Sequence, residues 1–269
     1  DRKIEHIKEV YRRGGVSMLV WHQDNPLTEG PGQSYPKGTA WDNTPCVDQI
    51  LQEGSELNRK YCERLDKVAE ALHKMKDDDG KPIPVIFRPL HEHTQSWNWW
   101  GSSATTEEQF RAFWRFIVSY LRDKKDCHNV LYAISPQMDA EYEDARNRLL
   151  FRWPGDEWVD FIGMDCYHGR NAQAFKKNVI ALSLLAKEKG KPVGVTETGL
   201  ENNHTADYWT KDCLPALKGQ WCSMVVAWRN EKPSHAFGPY PSDVSADDFR
   251  LFHADPYTLF QKDLPPMYK

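Results

Sequence analysis

Apolar positions along this chain follow two patterns. Short, largely apolar runs occur at 16–21, 84–88, 129–135, 161–166, 192–197 and 223–228. Runs of that length without strict alternation suit strands buried on both faces of a parallel sheet. Between them, helices are expected over 3–13, from about 46 through Lys76, 106–122, 141–151, 172–189 and 206–217, with short ones near 246–253 and 256–262. Gly14-Gly15 and Gly190 mark two helix ends, and Glu107 and Glu108 lie near the positive end of a third. Residues 22–45 are rich in Pro, Gly, Asn and Thr and read as a long loop. Loops are also expected at 93–105 and 239–245.

Strand and helix therefore alternate, which predicts an α/β fold. Strand ends fall near Ser135, Cys166, Glu197 and Trp228, 31 residues apart each time. A strand with its crossover helix takes about 30 residues, so these are repeated βα units. A closed barrel and an open doubly wound sheet both fit the pattern. No GxGxxG or GxxxxGK[ST] follows a strand, which disfavours nucleotide-binding forms of the open sheet. With no linker or composition break, residues 1–269 are expected to form a single domain.

Composition narrows the function. The 269 residues carry a net charge of -4, which gives no general electrostatic case for nucleic acid or an anionic membrane. The nearest thing to a long apolar run, Val179–Ala186, is broken by Ser183 and falls far short of the roughly 20 residues a spanning helix needs. The chain opens on Asp1 without a signal peptide, so a processed or truncated product is expected. Trp occurs 11 times, as often as Tyr or Phe. Such a count fits a large aromatic core or a cleft lined with flat rings, which suit the apolar faces of sugars. Six cysteines show no CxxC spacing. Cys213 and Cys222 could pair, while Cys166 reads as a small buried thiol.

In a parallel barrel, chemistry gathers where strands end. Those ends carry Trp21-His22, Arg88 to Glu92, Asp165 to Tyr167, Glu197, and Trp228-Arg229. Glu92 and Glu197 each follow an apolar strand directly. A lone Glu there would serve as a helix cap or surface ion pair. Two facing one site are what glycosidic cleavage requires, one as proton donor and one as nucleophile or stabiliser. Alternation would place Arg88 and Leu90 on the same face as Glu92, and Asp165 on that of Tyr167. An inward Arg88 needs a partner, which Asp165 or Glu197 could supply. Pro89 warns that the register can slip. Trp97, Trp99 and Trp100 pack the loop or stack on sugar. His91-Glu92-His93 has the HxH spacing of metal-dependent hydrolases, but the last strand offers Trp228-Arg229 in place of an Asp ligand. No metal and no cofactor is expected. Asn203-His204-Thr205 fits a glycosylation sequon.

At this point a resemblance enters. The run from Arg88 through Glu92 and Trp97 to Gly101 resembles the acid/base motif of family 26 glycoside hydrolases, the β-mannanase family of clan A. Thr196-Glu197-Thr198-Gly199 resembles its nucleophile motif. Many clan A members have Asn before the acid/base Glu, whereas His91 is the family 26 form. The segments 21–26, 165–167 and 228–229 also match, so the likeness runs over essentially the whole chain. Thr94-Gln95 and Asn98 depart from the Asn-Gly and Phe of many members, a change in subsite loops.

The resemblance implies a (β/α)8 TIM barrel and a retaining endo-acting enzyme that cleaves β-1,4-mannosidic linkages in mannan, glucomannan or galactomannan. It implies Glu92 as acid/base and Glu197 as nucleophile. It further implies that Tyr167 hydrogen-bonds the nucleophile, and that His22, His91, Trp97, Trp228 and Arg229 shape the central sugar subsites. Arg88 is taken with these as a site residue. Other activities of the family (β-1,3-xylanase, mixed-linkage glucanase, exo-mannobiohydrolase) compete, as does a non-catalytic sugar-binding barrel. The expected partner is the polysaccharide, acted on by a secreted or extracytoplasmic monomer. If Glu92 ends strand four and Glu197 strand seven, the chain covers strands 3 to 8. The first two βα units, roughly 60–100 residues, would then be missing from the N-terminus.

Overall fold

The computed structural model describes residues 2–202, 205–232 and 234–268. The sequon beginning at Asn203 lies outside the described residues. Two compact units divide the chain. One runs up to Ile134 and includes Phe151–Asp160; the other holds Ser135–Leu150 and the chain from Phe161 onward.

The first unit contains α1 (Arg2–Arg12), β1 (Ser17–Val20), α2 (Val47–Leu51), α3 (Glu56–Lys74), β2 (Val85–Arg88), α4 (Glu107–Ser119) and β3 (Val130–Ile134). Its three strands are parallel in the order β1-β2-β3, with Val20 opposite Arg88 and Phe87 opposite Tyr132. All of β2 is buried, as its largely apolar run predicts. On α3, Leu57, Tyr61, Leu65, Ala69 and Leu72 recur at helical spacing and form the buried stripe. Ser55 caps α3 by accepting the Asn58 amide, which splits the long helix expected from about 46 into α2 and α3. Thr106 and Gln109 form a capping box at the start of α4, and wider π-type turns over Tyr120–Lys124 prolong it.

The second unit contains α5 (Ala145–Leu149), β4 (Phe161–Cys166), α6 (Ala172–Lys189), β5 (Val193–Thr198), α7 (Leu214–Leu217), β6 (Val225–Ala227) and α8 (Ala246–Ala254). Strands β4, β5 and β6 are parallel and adjacent in that order. Helix α6 occupies the expected residues and ends at Gly190, whose φ of 61° is the left-handed cap that glycine favours. The helix expected over 141–151 is reduced to 145–149, because Asp144 caps it late by accepting the Asn147 amide. That expected over 206–217 is a π-type turn at Trp209–Cys213 followed by α7. The second short helix near the C-terminus shrinks to a single 3-10 turn at Gln261–Asp263. All six cysteines are free thiols, so the possible Cys213–Cys222 pair is not formed. No described helix is long and apolar enough to cross a membrane.

The repeating βα pattern and parallel strands place the chain in the α/β class. One packing constraint stands out. A methyl group on Gly163 of β4 would lie 2.6 Å from Thr196 Cγ2 and 2.7 Å from its Oγ1 on the neighbouring strand. Gly163→Ala should therefore cost about 1–3 kcal/mol by overpacking. Urea unfolding should show a lower midpoint at unchanged slope, and an unchanged midpoint would contradict the packing argument.

Candidate active site

The first unit supplies Glu92. Arg88 closes β2, but the chain then leaves the strand, and residues 89–95 form turns. Glu92 thus lies four residues beyond the strand instead of directly ending it, and its φ of 52° is left-handed. Side-chain alternation from Arg88 does not extend to it; Pro89, which cannot continue a ladder, breaks the register. Left-handed backbone at a non-glycine residue costs roughly 1 kcal/mol or more and persists where the surroundings enforce it. Here the Gln95 amide bonds the Glu92 carbonyl at 3.0 Å, and Trp97 Nε1 donates to Glu92 Oε2 at 3.1 Å. Trp97 lies at the surface, while Trp99 and Trp100 are buried and donate to the carbonyls of Gln23 and His91. Of the three tryptophans, one faces the site and two pack the loop.

His22 follows β1, and its Nε2 lies 3.1 Å from Nε2 of His91. One ring must donate and the other accept, so the pair shares a proton. Burial, then the charges of Arg88, His22 and His93, holds His91 well below its usual pKa. It is neutral at neutral pH. The HxH pair diverges: His93 Nε2 contacts the Phe151 carbonyl, and its ring stacks on Phe110 at 4.5 Å. Arg88 is buried, as the sequence suggested.

The second unit supplies Glu197, a buried residue of β5 paired in register with Asp165 of β4. Tyr167 donates its hydroxyl to Glu197 Oε2 at 2.6 Å. Asp165 accepts the hydroxyls of Thr196 at 2.6 Å and Ser135 at 3.3 Å. Trp228 is half-buried, its amide bonded to the Thr198 carbonyl. Arg229 is exposed and pairs with Glu231 at 3.4 Å.

Sequence reasoning missed the residues that hold Tyr167. Asp139 Oδ1 accepts the Tyr167 amide at 2.7 Å, and Gln137 Nε2 donates to the other oxygen of Asp139. Asn178 of α6 donates to the carbonyls of Met138 and Ala140, fixing that segment. Burial raises the Asp139 pKa despite the Tyr167 and Gln137 donors. Gln137 and Asp139 lie three and five residues beyond the end of β3 at Ile134, past the strand-end position itself, where polar groups are read from sequence.

The second unit thus holds a buried strand-end carboxylate under a tyrosine hydroxyl, and the first a half-buried one beside an exposed tryptophan. The family model for glycosyl hydrolase family 26 matches residues 1–248. The chain belongs to that family. A mannan endo-1,4-beta-mannosidase of Bifidobacterium adolescentis is 33% identical over 203 residues, covering 72% of this chain and 19% of that protein. The family 26 beta-mannanase structure from Bacteroides ovatus matches with TM-score 0.90 and 38% identity, covering all of this chain and 76% of that one. An endo-beta-1,4-mannanase structure from Cellulomonas fimi matches with TM-score 0.87 and 28% identity, over 98% of this chain and 59% of that one. The chain spans between about a fifth and three-fifths of the length of the first curated relatives it matches.

Next to Tyr167 lies His168, buried and stacked on Phe175 at 4.2 Å. Burial pushes its pKa down to about 4. A histidine whose folded pKa lies below its unfolded value near 6.5 contributes full stability above that value and loses it as pH falls. The fold should lose on the order of 3 kcal/mol between pH 6.5 and 4 from this residue. His168→Phe keeps the stack and should flatten the fall in urea midpoint over that range. An equally steep fall in the variant would show that His168 does not carry it.

Proposed function

We propose that this chain is the catalytic part of a retaining endo-β-1,4-mannanase acting on mannan, glucomannan or galactomannan. The observation that carries the reading is the buried Glu197 with Tyr167 fixed on one oxygen. The hydroxyl holds one oxygen of the carboxylate and so sets its orientation, as a nucleophile aimed at an anomeric carbon requires. Glu92, half-buried and steadied by Trp97 Nε1, serves as the acid that protonates the leaving oxygen and then as the base that activates water. Both similar structures named above and the Bifidobacterium protein are described as mannanases or mannosidases, which supports the substrate.

His22, Arg88, His91, Trp97, Trp228 and Arg229 shape the sugar subsites in this reading. The His22–His91 pair offers ring nitrogens that donate to and accept from hydroxyl groups, with His91 itself held neutral by burial. Polysaccharide is too large to enter a cell intact, so the enzyme acts outside the cytoplasm, as a monomer.

The barrel is read as eight βα units, with β1 to β6 as its strands three to eight. Two facts support this. Strand β1 pairs on one side only within its unit, and its Met18, Leu19 and Val20 are half-buried. A cavity of about 750 Å³ beside them is lined by Ile4, Ile7, Val68 and Ala71 among others. Two further βα units would cover that surface and remove an open edge.

Product analysis on mannan, xylan and mixed-linkage glucan should show manno-oligosaccharides alone. Release from xylan or glucan in preference to mannan would overturn the substrate. Glu197→Ala should abolish turnover with little change in thermal unfolding, and near-full activity would remove Glu197 as nucleophile. A ligand-bound crystal structure should place the Glu92 and Glu197 carboxyls about 5–5.5 Å apart, whereas about 9 Å would contradict retention.

A further inference from the structure

Five large aromatic side chains are exposed among the described residues: Tyr35, Trp41, Trp97, Trp221 and Tyr257. Three of them stand on two loops of the first unit, 23–45 and 93–105. Scattered exposed rings are ordinary, but a cluster beside a carboxylate needs an occupant.

These rings continue a row. The His91 and His22 centroids are 4.3 Å apart, His22 and Trp41 6.0 Å, and Trp41 and Tyr35 6.3 Å. The row therefore starts next to Glu92 and runs outward along the loop. Exposure rises along it, from a buried His91 to 45% at Trp41 and 75% at Tyr35.

The loop that carries the outer rings is braced. Asp42 accepts the Thr28 hydroxyl at 2.5 Å, the Gly38 amide at 3.0 Å, and both the amide and hydroxyl of Thr44. Those donors hold the Asp42 carboxyl far below its usual pKa, against the effect of burial. Buried Asn25 donates to the carbonyls of Asp42 and Thr44, each at 2.9 Å. Asn43 Nδ2 reaches the Ser96 carbonyl, which ties this loop to the one carrying Trp97. The Trp41 ring thus sits on a segment fixed before any ligand arrives, which lowers the entropy cost of binding.

We propose that Tyr35 is an outer sugar-binding platform. It takes the apolar face of a β-linked pyranose unit distant from the cleaved bond, with Trp41 between it and the catalytic end. The proposal rests on the mannanase reading and adds to it a preference for longer chains. Stacking needs the ring and not the hydroxyl, so Phe should substitute and Ala should not.

The test compares β-1,4-linked mannotriose with mannohexaose. Tyr35→Ala should lower kcat/KM on the hexaose by about 3- to 10-fold and leave the triose unchanged. Tyr35→Phe should match the wild type on both. Equal effects on the two sugars, no effect on either, or a Phe variant as impaired as the Ala variant would overturn the platform. A wild type that cleaves no β-mannoside would overturn the mannanase reading instead. The platform is then decided by calorimetric titration, in which Tyr35→Ala must weaken hexaose binding and spare the triose.

Discussion

Glu197 is a carboxylate almost withdrawn from water at the end of an apolar strand, and much else follows from what makes that tolerable. A buried charge is costly unless donors are aimed at it. Tyr167 supplies one at 2.6 Å. That hydroxyl is useful only if the tyrosine backbone is fixed, which is the work of Asp139, itself bonded by Gln137 on a segment pinned by Asn178. Phe237 meets the Tyr167 ring edge-on at 5.5 Å. It can do so because Gly199, at a φ of 126°, leaves room for it: a Cβ there would lie 2.9 Å from Phe237. The neighbouring Asp165 is satisfied in the same way by Thr196 and Ser135.

Glu92 is built on the opposite plan. It stands off its strand on a left-handed turn, half-buried, with an indole N–H on one oxygen. Chemistry that needs one acid and one nucleophile requires two carboxylates in unlike surroundings. The difference between a residue inside a strand and one on a braced loop supplies that asymmetry. It also suits the proposed roles, since a nucleophile must be held still while an acid/base must serve both leaving group and water.

How much of this could be read from the chain varies by element. Strands β2, β4 and β5 were legible because burial on both faces leaves largely apolar runs, and α6 because Gly190 stops it. The helix at 141–151 was overestimated because Asp144 offers a cap that composition alone does not rank above its neighbours. The pair Glu92 and Glu197 stood out as polar residues after apolar runs; Tyr167 was visible as a strand-end residue, but its bond to Glu197 came only through the family resemblance. The left-handed backbone at Glu92 leaves no trace in residue pattern, since Glu has no preference for it. Asp139 was missed because it lies five residues beyond the end of β3. Tyr35 and Trp41 were lost in a loop read only as loop, because an exposed ring and a buried one look alike in sequence.

In the proposed reaction Glu197 attacks the sugar and Glu92 exchanges the proton, which fixes the stereochemistry of the product. The most direct measurement is proton NMR of the anomeric configuration of the first-formed manno-oligosaccharide during hydrolysis of β-1,4-mannan. The account predicts that the β-anomer appears first and equilibrates later to α. Initial release of the α-anomer would mean a single displacement by water and would contradict it.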